Sequence, residues 1–242
     1  MNFTEFKNEL NLGLEKLNIF LEEEQINQFY KYMNILIEWN KNINLTAITD
    51  PKEVILKHFI DSIYVLKNIE ISSNSSVIDI GTGAGFPGIP LKIVRKDLNV
   101  TLLDSLNKRI MFLDNVINNL GLKDISTIHG RAEEMGKNKK YREMFDYAIS
   151  RAVANLTVLS EYMIPFVKLG GKSICMKGGN IKEELENSQK ALGILGGNLI
   201  HVEEFNLLDT DIKRSLIIIE KCKITPIKYP RKPGTPVKEP LI

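Results

Sequence analysis

The sequence predicts an α/β protein: a doubly wound, mostly parallel sheet of seven strands with an N-terminal helical extension. Three observations carry that expectation. From residue 77 onward, short β-branched runs alternate with amphipathic stretches, the pattern of parallel strands joined by crossover helices. The first run, Val77-Ile78-Asp79-Ile80, stops abruptly at glycines on alternate positions, Gly81, Gly83 and Gly85. Residues 1 to about 66 show helical rather than strand periodicity.

In the N-terminal part, Ile26, Phe29, Tyr30, Met33, Leu36 and Ile37 recur at helical spacing. Asp50-Pro51-Lys52-Glu53 is a helix start, with an N-cap acid, proline at N1 and glutamate at N3. The helix that follows carries Val54, Ile55, His58, Phe59, Ser62, Ile63 and Leu66 on neighbouring faces. Trp39 to Thr46 lies between, too rich in asparagine for a helix interior. Ser72-Ser73-Asn74-Ser75-Ser76 is a polar connector. The first strand and its glycine turn lead to a helix near residues 89–94. A second strand over 100–103 ends in Asp104-Ser105, and its helix stops at Gly121. Strands follow near 125–128, 145–149 and 172–176, with a helix through Met163 before the last. A helix over 181–192 is expected to end at Gly193. Two final strands, near 199–205 and 215–220, form an antiparallel hairpin turning at Asp209-Thr210-Asp211. The domain expectation is a helical extension over 1–66 and a catalytic domain over 67–242, with a basic segment over 221–242.

Composition narrows the function classes. A net charge of +2 is too small to signal nucleic-acid binding alone, so its distribution matters more. From Lys221 onward there are six Lys or Arg against one acid, Glu239. Cys175 and Cys222 match no metal or redox spacing, and no metal site is expected. Two lone cysteines fit a reducing cytoplasm. The N-terminus lacks the basic and apolar regions of a signal peptide, and no apolar run approaches the roughly 20 residues of a membrane span.

In doubly wound sheets ligands sit beyond the carboxyl ends of the strands, where strand order reverses. The glycine turn, Asp104-Ser105, the His129-to-Glu133 turn and Ser150-Arg151 should therefore converge. A plain strand-to-helix turn would not need three alternating glycines. A nicotinamide dinucleotide is the first alternative, because Gly83 to Gly88 fits G-x-G-x-x-G and Asp104 stands at the distance of a ribose acid. Asp79 would then face pyrophosphate, and no Tyr-x-x-x-Lys pair for hydride transfer occurs. The Ala132-Glu133 turn after the third strand, a natural adenine contact site, also counts against a nicotinamide, and S-adenosylmethionine meets these objections. Asp79 would favour its cationic part, amides of the glycine turn would hold its carboxylate, and Asp104 would accept two hydrogen bonds from the ribose hydroxyls. A helix N-cap is the plain alternative for Asp104, and a solvated loop charge for Glu133.

The chain resembles the bacterial glucose-inhibited division protein B family over nearly its whole length. The resemblance rests on Trp39-Asn40 with Asn44-Leu45-Thr46, His58-Phe59-Ile60-Asp61-Ser62, and Asp79 through Gly88. It continues in Lys108-Arg109, Phe112-Leu113, Gly130-Arg131-Ala132-Glu133, Ser150-Arg151-Ala152, Lys177-Gly178 and Arg231-Lys232-Pro233-Gly234-Thr235-Pro236. One departure is Asp104, where many relatives carry glutamate; both grip a diol. The resemblance implies a class I, Rossmann-like methyltransferase that uses S-adenosylmethionine to modify guanine N7 in small-subunit ribosomal RNA. It implies that Gly81 and Phe86 line the cofactor cleft, Asp104 takes the ribose, Ala132 and Glu133 flank the adenine and Arg151 closes the site; with the residues read above, Asp79, Gly83, Gly85, Ser105 and Leu106 complete the expected cofactor contacts. Arg151, His58 and Lys177 are the positioning candidates. For Arg151 the alternative is a surface ion pair, for His58 a polar contact inside the helical extension.

Guanine N7 carries a free lone pair at neutral pH and needs no general base, so the site should position and desolvate. The sequence offers no His–carboxylate or Cys–His nucleophile constellation. N7 lies on the major-groove edge, poorly accessible in A-form RNA, so the target base should be in a loop or extruded. Lys228, Arg231 and Lys232 are the expected RNA contacts, kept extended by neighbouring prolines. Lys137, Lys139, Lys140 and Arg142, with Tyr141, form a second basic loop. The expected partner is small-subunit ribosomal RNA or the assembled subunit, met by a cytoplasmic monomer without membrane contact. Two rival classes are a methyltransferase of a small molecule or protein, and a non-catalytic ribosome-binding module.

Overall fold

The computed structural model describes residues 1–151 and 153–242; Ala152, part of one quoted motif, lies outside them. Two helices open the chain, α1 (Phe3–Lys16) and α2 (Glu23–Asn40). The segment expected as one helix after Asp50 is a helical run of mixed pitch. It comprises α3 (Pro51–Val54), a π-helical stretch over Ile55–Ile60, α4 (Asp61–Ile63) and α5 (Val65–Asn68). Asp50 caps it as expected, its side chain accepting from the Glu53 amide at 3.0 Å.

The alternating part follows in the predicted order. Its strands are β1 (Ser76–Ile80), β2 (Asn99–Asp104), β3 (Ile125–His129), β4 (Phe145–Arg151), β5 (Val167–Gly178), β6 (Gly197–Asn206) and β7 (Lys213–Lys221). The crossover helices are α6 (Gly88–Val94), α7 (Asn107–Leu120), the single turn α8 (Ala132–Met135), α9 (Leu156–Met163) and α10 (Lys182–Leu195). A last turn, α11 (Thr235–Lys238), lies near the C-terminus. Gly121 ends α7 at φ +62, as the sequence suggests. The stop at Gly193 is corrected: α10 runs on to Leu195, and Gly196, at φ +88, takes the left-handed cap.

The strands form one sheet in the order β3-β2-β1-β4-β5-β7-β6. The first five strands are parallel; β7 pairs antiparallel with both β5 and β6. Strand order reverses between β1 and β4, so their carboxyl ends open a crevice there.

Two apolar layers cover the sheet. On one face α9 and α10 pack over Ile80, Ala148, Cys175 and Ile217. On the other, Phe6, Leu10, Phe29 and Phe59 from the N-terminal helices join Leu102, Ile149, Ile174 and Ile218 in one buried cluster. The N-terminal helices thus close a face of the sheet rather than standing off it. Among the described residues, no helix is long and apolar enough to cross a membrane.

Candidate functional site

A cavity of about 620 Å³ opens at the reversal point. Its wall takes Ile80 to Ala84 and Phe86 from the glycine turn, Leu103 to Ser105 and Arg109 after β2, and Gly130 to Glu133 after β3. Arg151, Val153 and Tyr162 complete the β4 side, and Leu45, Thr46 and His58 reach in from the N-terminal part. Of the residues expected from the sequence, Gly81, Gly83, Phe86, Asp104, Ser105, Ala132, Glu133, Arg151 and His58 therefore meet around one space. Asp79, Gly85, Leu106 and Lys177 do not line it.

Asp79 is fully buried beneath the turn. Thr82 Oγ1 donates to its Oδ2 at 2.7 Å and the Gly88 amide at 2.8 Å. Its Oδ1 has no partner among the described residues. Burial raises the carboxyl to about 7, against the pull of those two hydrogen bonds. The expected direct charge contact is replaced by a role in shaping the turn.

The amides of Gly81, Thr82, Gly83 and Gly85 are also committed internally. Gly81 and Thr82 donate to the Leu103 carbonyl, Gly85 to the Thr82 carbonyl, and Gly83 to Asp104 Oδ2 at 2.9 Å. The sequence predicts amides of this turn on the cofactor's carboxylate; those of Gly81, Gly83 and Gly85 already have these partners, and the three glycines supply space. Each has a positive φ. A Cβ on Gly81 would lie 2.8 Å from Val153, and one on Gly85 would lie 2.6 Å from the Tyr32 hydroxyl. At Gly83 such an atom would meet nothing within 4 Å.

Asp104, 2 % exposed, sits at the centre of the wall. Its Oδ2 accepts from Gly83 and from Arg109 Nη1, and its Oδ1 from the Leu106 amide at 2.9 Å. A carboxylate has about four acceptor positions, so one remains on Oδ1. A two-point grip on a diol therefore requires the half-exposed Arg109 to move aside. Leu106 contributes its amide to Asp104 and points its side chain outward.

On the N-terminal side the groups brace one another. The His58 ring stacks on Phe86 with centroids 4.4 Å apart, and the Arg151 guanidinium lies 5.0 Å from the same ring. Arg151 Nη2 donates to His58 Nδ1 at 3.1 Å; its Nη1 contacts the Lys57 carbonyl at 3.1 Å and Asp61 at 3.2 Å. Asp61, 2 % exposed, also receives Arg214 Nε at 2.9 Å. Guanidinium only donates, so Nδ1 of His58 is the acceptor and Nε2 carries the proton. Burial, reinforced by the Arg151 charge, pushes His58 down to about 3. Lys177 lies elsewhere: it pairs with Glu184 at 2.8 Å and donates to the Ala154 carbonyl at 2.6 Å.

At the far end Glu133 is 7 % exposed and accepts from the Gly234 amide at 3.0 Å. Burial and the nearby Glu133 and Glu161 carboxylates push Tyr162 up to about 12. The C-terminal segment is therefore docked, which corrects the expected extended tail. Arg231 is bound to the buried Glu161 through Nε and Nη2, the latter at 2.7 Å. Arg142 donates to the Gly136, Thr225 and Tyr229 carbonyls, and Lys221 is buried against Glu143. Lys228 and Lys232 remain exposed, as do Lys137, Lys139 and Lys140.

Reading from sequence missed Thr46, Arg109, Tyr162 and Val153 as wall residues. Thr46 and Arg109 stand inside motifs already quoted. Tyr162 and Val153 carry no local signal, because only the packing of α9 and the β4 end brings them there.

The family model described as rRNA small subunit methyltransferase G, GidB, matches residues 25–215. The chain belongs to the GidB family. A "Ribosomal RNA small subunit methyltransferase G" of Acetivibrio thermocellus is 56% identical over 229 residues, covering 95% of this chain and 94% of that protein. One of Desulforamulus reducens is 54% identical over 232 residues, covering 96% and 97%. A solved SAM-dependent methyltransferase from Aquifex aeolicus superposes with a TM-score of 0.52 at 20% identity, over 70% of this chain and 93% of that one. That likeness supports the fold. With GidB membership comes the enzyme class, a methyltransferase that uses S-adenosylmethionine. The cavity fits such a group: its volume is in the range of small-molecule sites. Its walls combine apolar Ile80, Leu103 and Ala132 with one spare carboxylate position on Asp104 and the buried Glu133.

Proposed function

We propose that the chain transfers the methyl group of S-adenosylmethionine to N7 of a guanine in small-subunit ribosomal RNA. It does so as a cytoplasmic monomer, on the RNA or the assembled subunit. The cofactor, when bound, supplies an electrophilic methyl on a sulfonium. Asp104 takes a ribose hydroxyl through its remaining Oδ1 position, Ser105 lies beside it, and Ala132 and Glu133 flank the adenine. Gly81 and Gly83 keep the wall thin enough for the cofactor to approach, with Asp79, Gly85 and Leu106 supporting from behind. Phe86 and Arg151 bound the reacting end, and the helices over 1–66 supply its outer wall. Lys177 is too far committed to Glu184 to be assigned a part.

The observation that favours guanine N7 is the state of His58. Both ring nitrogens are engaged, and the ring is held neutral. A site so arranged holds and desolvates its substrate; it does not remove a proton. N7 suits it because its lone pair is already free. The test is transfer of radiolabelled methyl to small-subunit ribosomal RNA, with the product nucleoside identified by mass spectrometry. N7-methylguanosine is expected; label in any other base, or only in protein or metabolites, overturns the reading. For the cofactor residues, Gly81→Arg and Asp104→Ala should abolish S-adenosylmethionine binding by calorimetry, and unchanged affinity would refute them.

A further inference from the structure

The loop between α2 and α3 holds one side chain in an unusually constrained state. Every backbone polar group of Thr46 is clamped by the side chain of Asn40. The Thr46 amide donates to Asn40 Oδ1 at 3.0 Å, and Asn40 Nδ2 donates to the Thr46 carbonyl at 2.9 Å. The neighbouring Leu45 amide joins the same Oδ1 at 2.8 Å. The hydroxyl is fixed from two further sides. His58 Nε2, which carries the proton because Nδ1 accepts from Arg151, donates to Thr46 Oγ1 at 2.8 Å. The Ile48 amide donates to the same oxygen at 3.0 Å.

A hydroxyl has two acceptor positions and one donor. Both acceptor positions of Thr46 are filled, and among the described residues its proton has no acceptor. Thr46 lines the cavity beside His58, Phe86 and Arg151, at the opposite end from Glu133. The Thr46 hydroxyl is therefore a rigid, donor-only group at the reacting end, beside the Arg151 guanidinium. Its state does not change near neutral pH, because burial keeps His58 uncharged.

On its major-groove edge guanine offers two acceptors, N7 and O6, whereas adenine pairs the N7 acceptor with an N6 donor. A group that can only donate, placed beside N7, suits O6 and leaves an N6 amino group facing another donor. We infer that the Thr46 hydroxyl donates to O6 of the target base and so selects guanine over adenine. Thr46 is then a specificity-determining residue, and His58, Asn40 and Ile48 orient it. This rests on the guanine-N7 reading above.

The test begins with the nucleotide identified by mass spectrometry. Small-subunit RNA transcripts carrying guanine or adenine at that position are methylated by the wild type, Thr46→Val and Thr46→Ser. Thr46→Val should slow methylation of the guanine transcript about tenfold, the ordinary worth of one buried hydrogen bond. It should leave the already poor adenine rate alone, so that the guanine-to-adenine ratio falls by the same factor. Thr46→Ser should restore the ratio, and calorimetry should give all three proteins the same affinity for S-adenosylmethionine. Equal slowing on both transcripts, or a weakened cofactor affinity, overturns the inference by showing a structural role only. Should Thr46→Val fail to fold, the wild type decides the matter with 6-thioguanine at the target. Its sulfur accepts poorly, so the rate should drop about tenfold; an undiminished rate overturns the inference. If the wild type labels a base other than guanine at N7, the underlying reading fails and this inference with it. If N7-methylguanosine forms but the ratio ignores Thr46→Val, the Thr46 assignment alone fails.

Discussion

Asp79 beneath the glycine turn and His58 stacked on Phe86 are both buried, and they link folding to pH with opposite signs. Asp79 is raised by burial to about 7, so between about pH 4 and 7 the folded chain keeps a proton that the unfolded chain releases. Stability from this group is present at low pH and lost as pH rises through that window. His58 is pushed down to about 3, so between about pH 6.5 and 3 the unfolded chain takes up a proton that the folded one refuses. Its contribution is lost as pH falls. The two slopes oppose each other over roughly pH 4 to 6.5. Asp79→Asn keeps a carbonyl oxygen for Thr82 and Gly88 but removes one slope. Urea unfolding should then show stability rising with pH through this range more steeply than in the wild type; an unchanged slope would mean that Asp79 is ionised in the fold. Arg151→Met should cost about 3 kcal/mol in the same assay, because it strands buried Asp61 and the Lys57 carbonyl while Arg214 still holds one oxygen. The alternating glycines and Asp104 could be read as a cofactor turn directly, since neighbours in sequence build it. That their amides face inward could not, because the acceptor for Gly83 stands 21 residues away.

Among the elements, the C-terminal segment separates structural from functional charge. Arg231 neutralises Glu161, whose side chain is 1 % exposed, and Gly234 caps Glu133 behind the cavity. Arg231→Ala should destabilise the protein by about 3 kcal/mol and open the segment to limited proteolysis. Lys228→Ala combined with Lys232→Ala should leave the unfolding midpoint unchanged. It should weaken RNA binding uniformly across sequences and reduce the slope of log affinity against log salt by about 2. No such change in slope would remove these lysines from the RNA surface. Composition marked the segment as basic; only the partners on α9 and the β4 approach show which charges are already neutralised. The π-helical stretch is a second such case. Its wider turn carries His58 and leads into Asp61, and both meet Arg151. Periodicity alone suggested one regular helix, because a single widened turn hardly alters the spacing of apolar residues.

Over the whole molecule, the N-terminal helices and the sheet are mechanically one body. Phe59 touches the rings of Phe6, Phe29, Tyr32 and Phe86, linking α1 and α2 to the glycine turn. Phe59→Ala should cost about 3–5 kcal/mol in urea unfolding, and cofactor affinity should fall with it. A loss confined to stability would uncouple the helices from the site. The alternation of strands and helices along the chain, the glycine turn, the acid after β2 and the family were all legible in the amino-acid order. Those features are written in local spacing, residue type and β-branched runs, which act over a few residues. The tertiary structure decided which donors and charges remain free: the inward amides of the turn, the neutral His58, the docked Arg231 and the lone proton of Thr46. Hydrogen-bond satisfaction is settled between groups far apart in sequence. No local pattern records it until the chain has closed on itself.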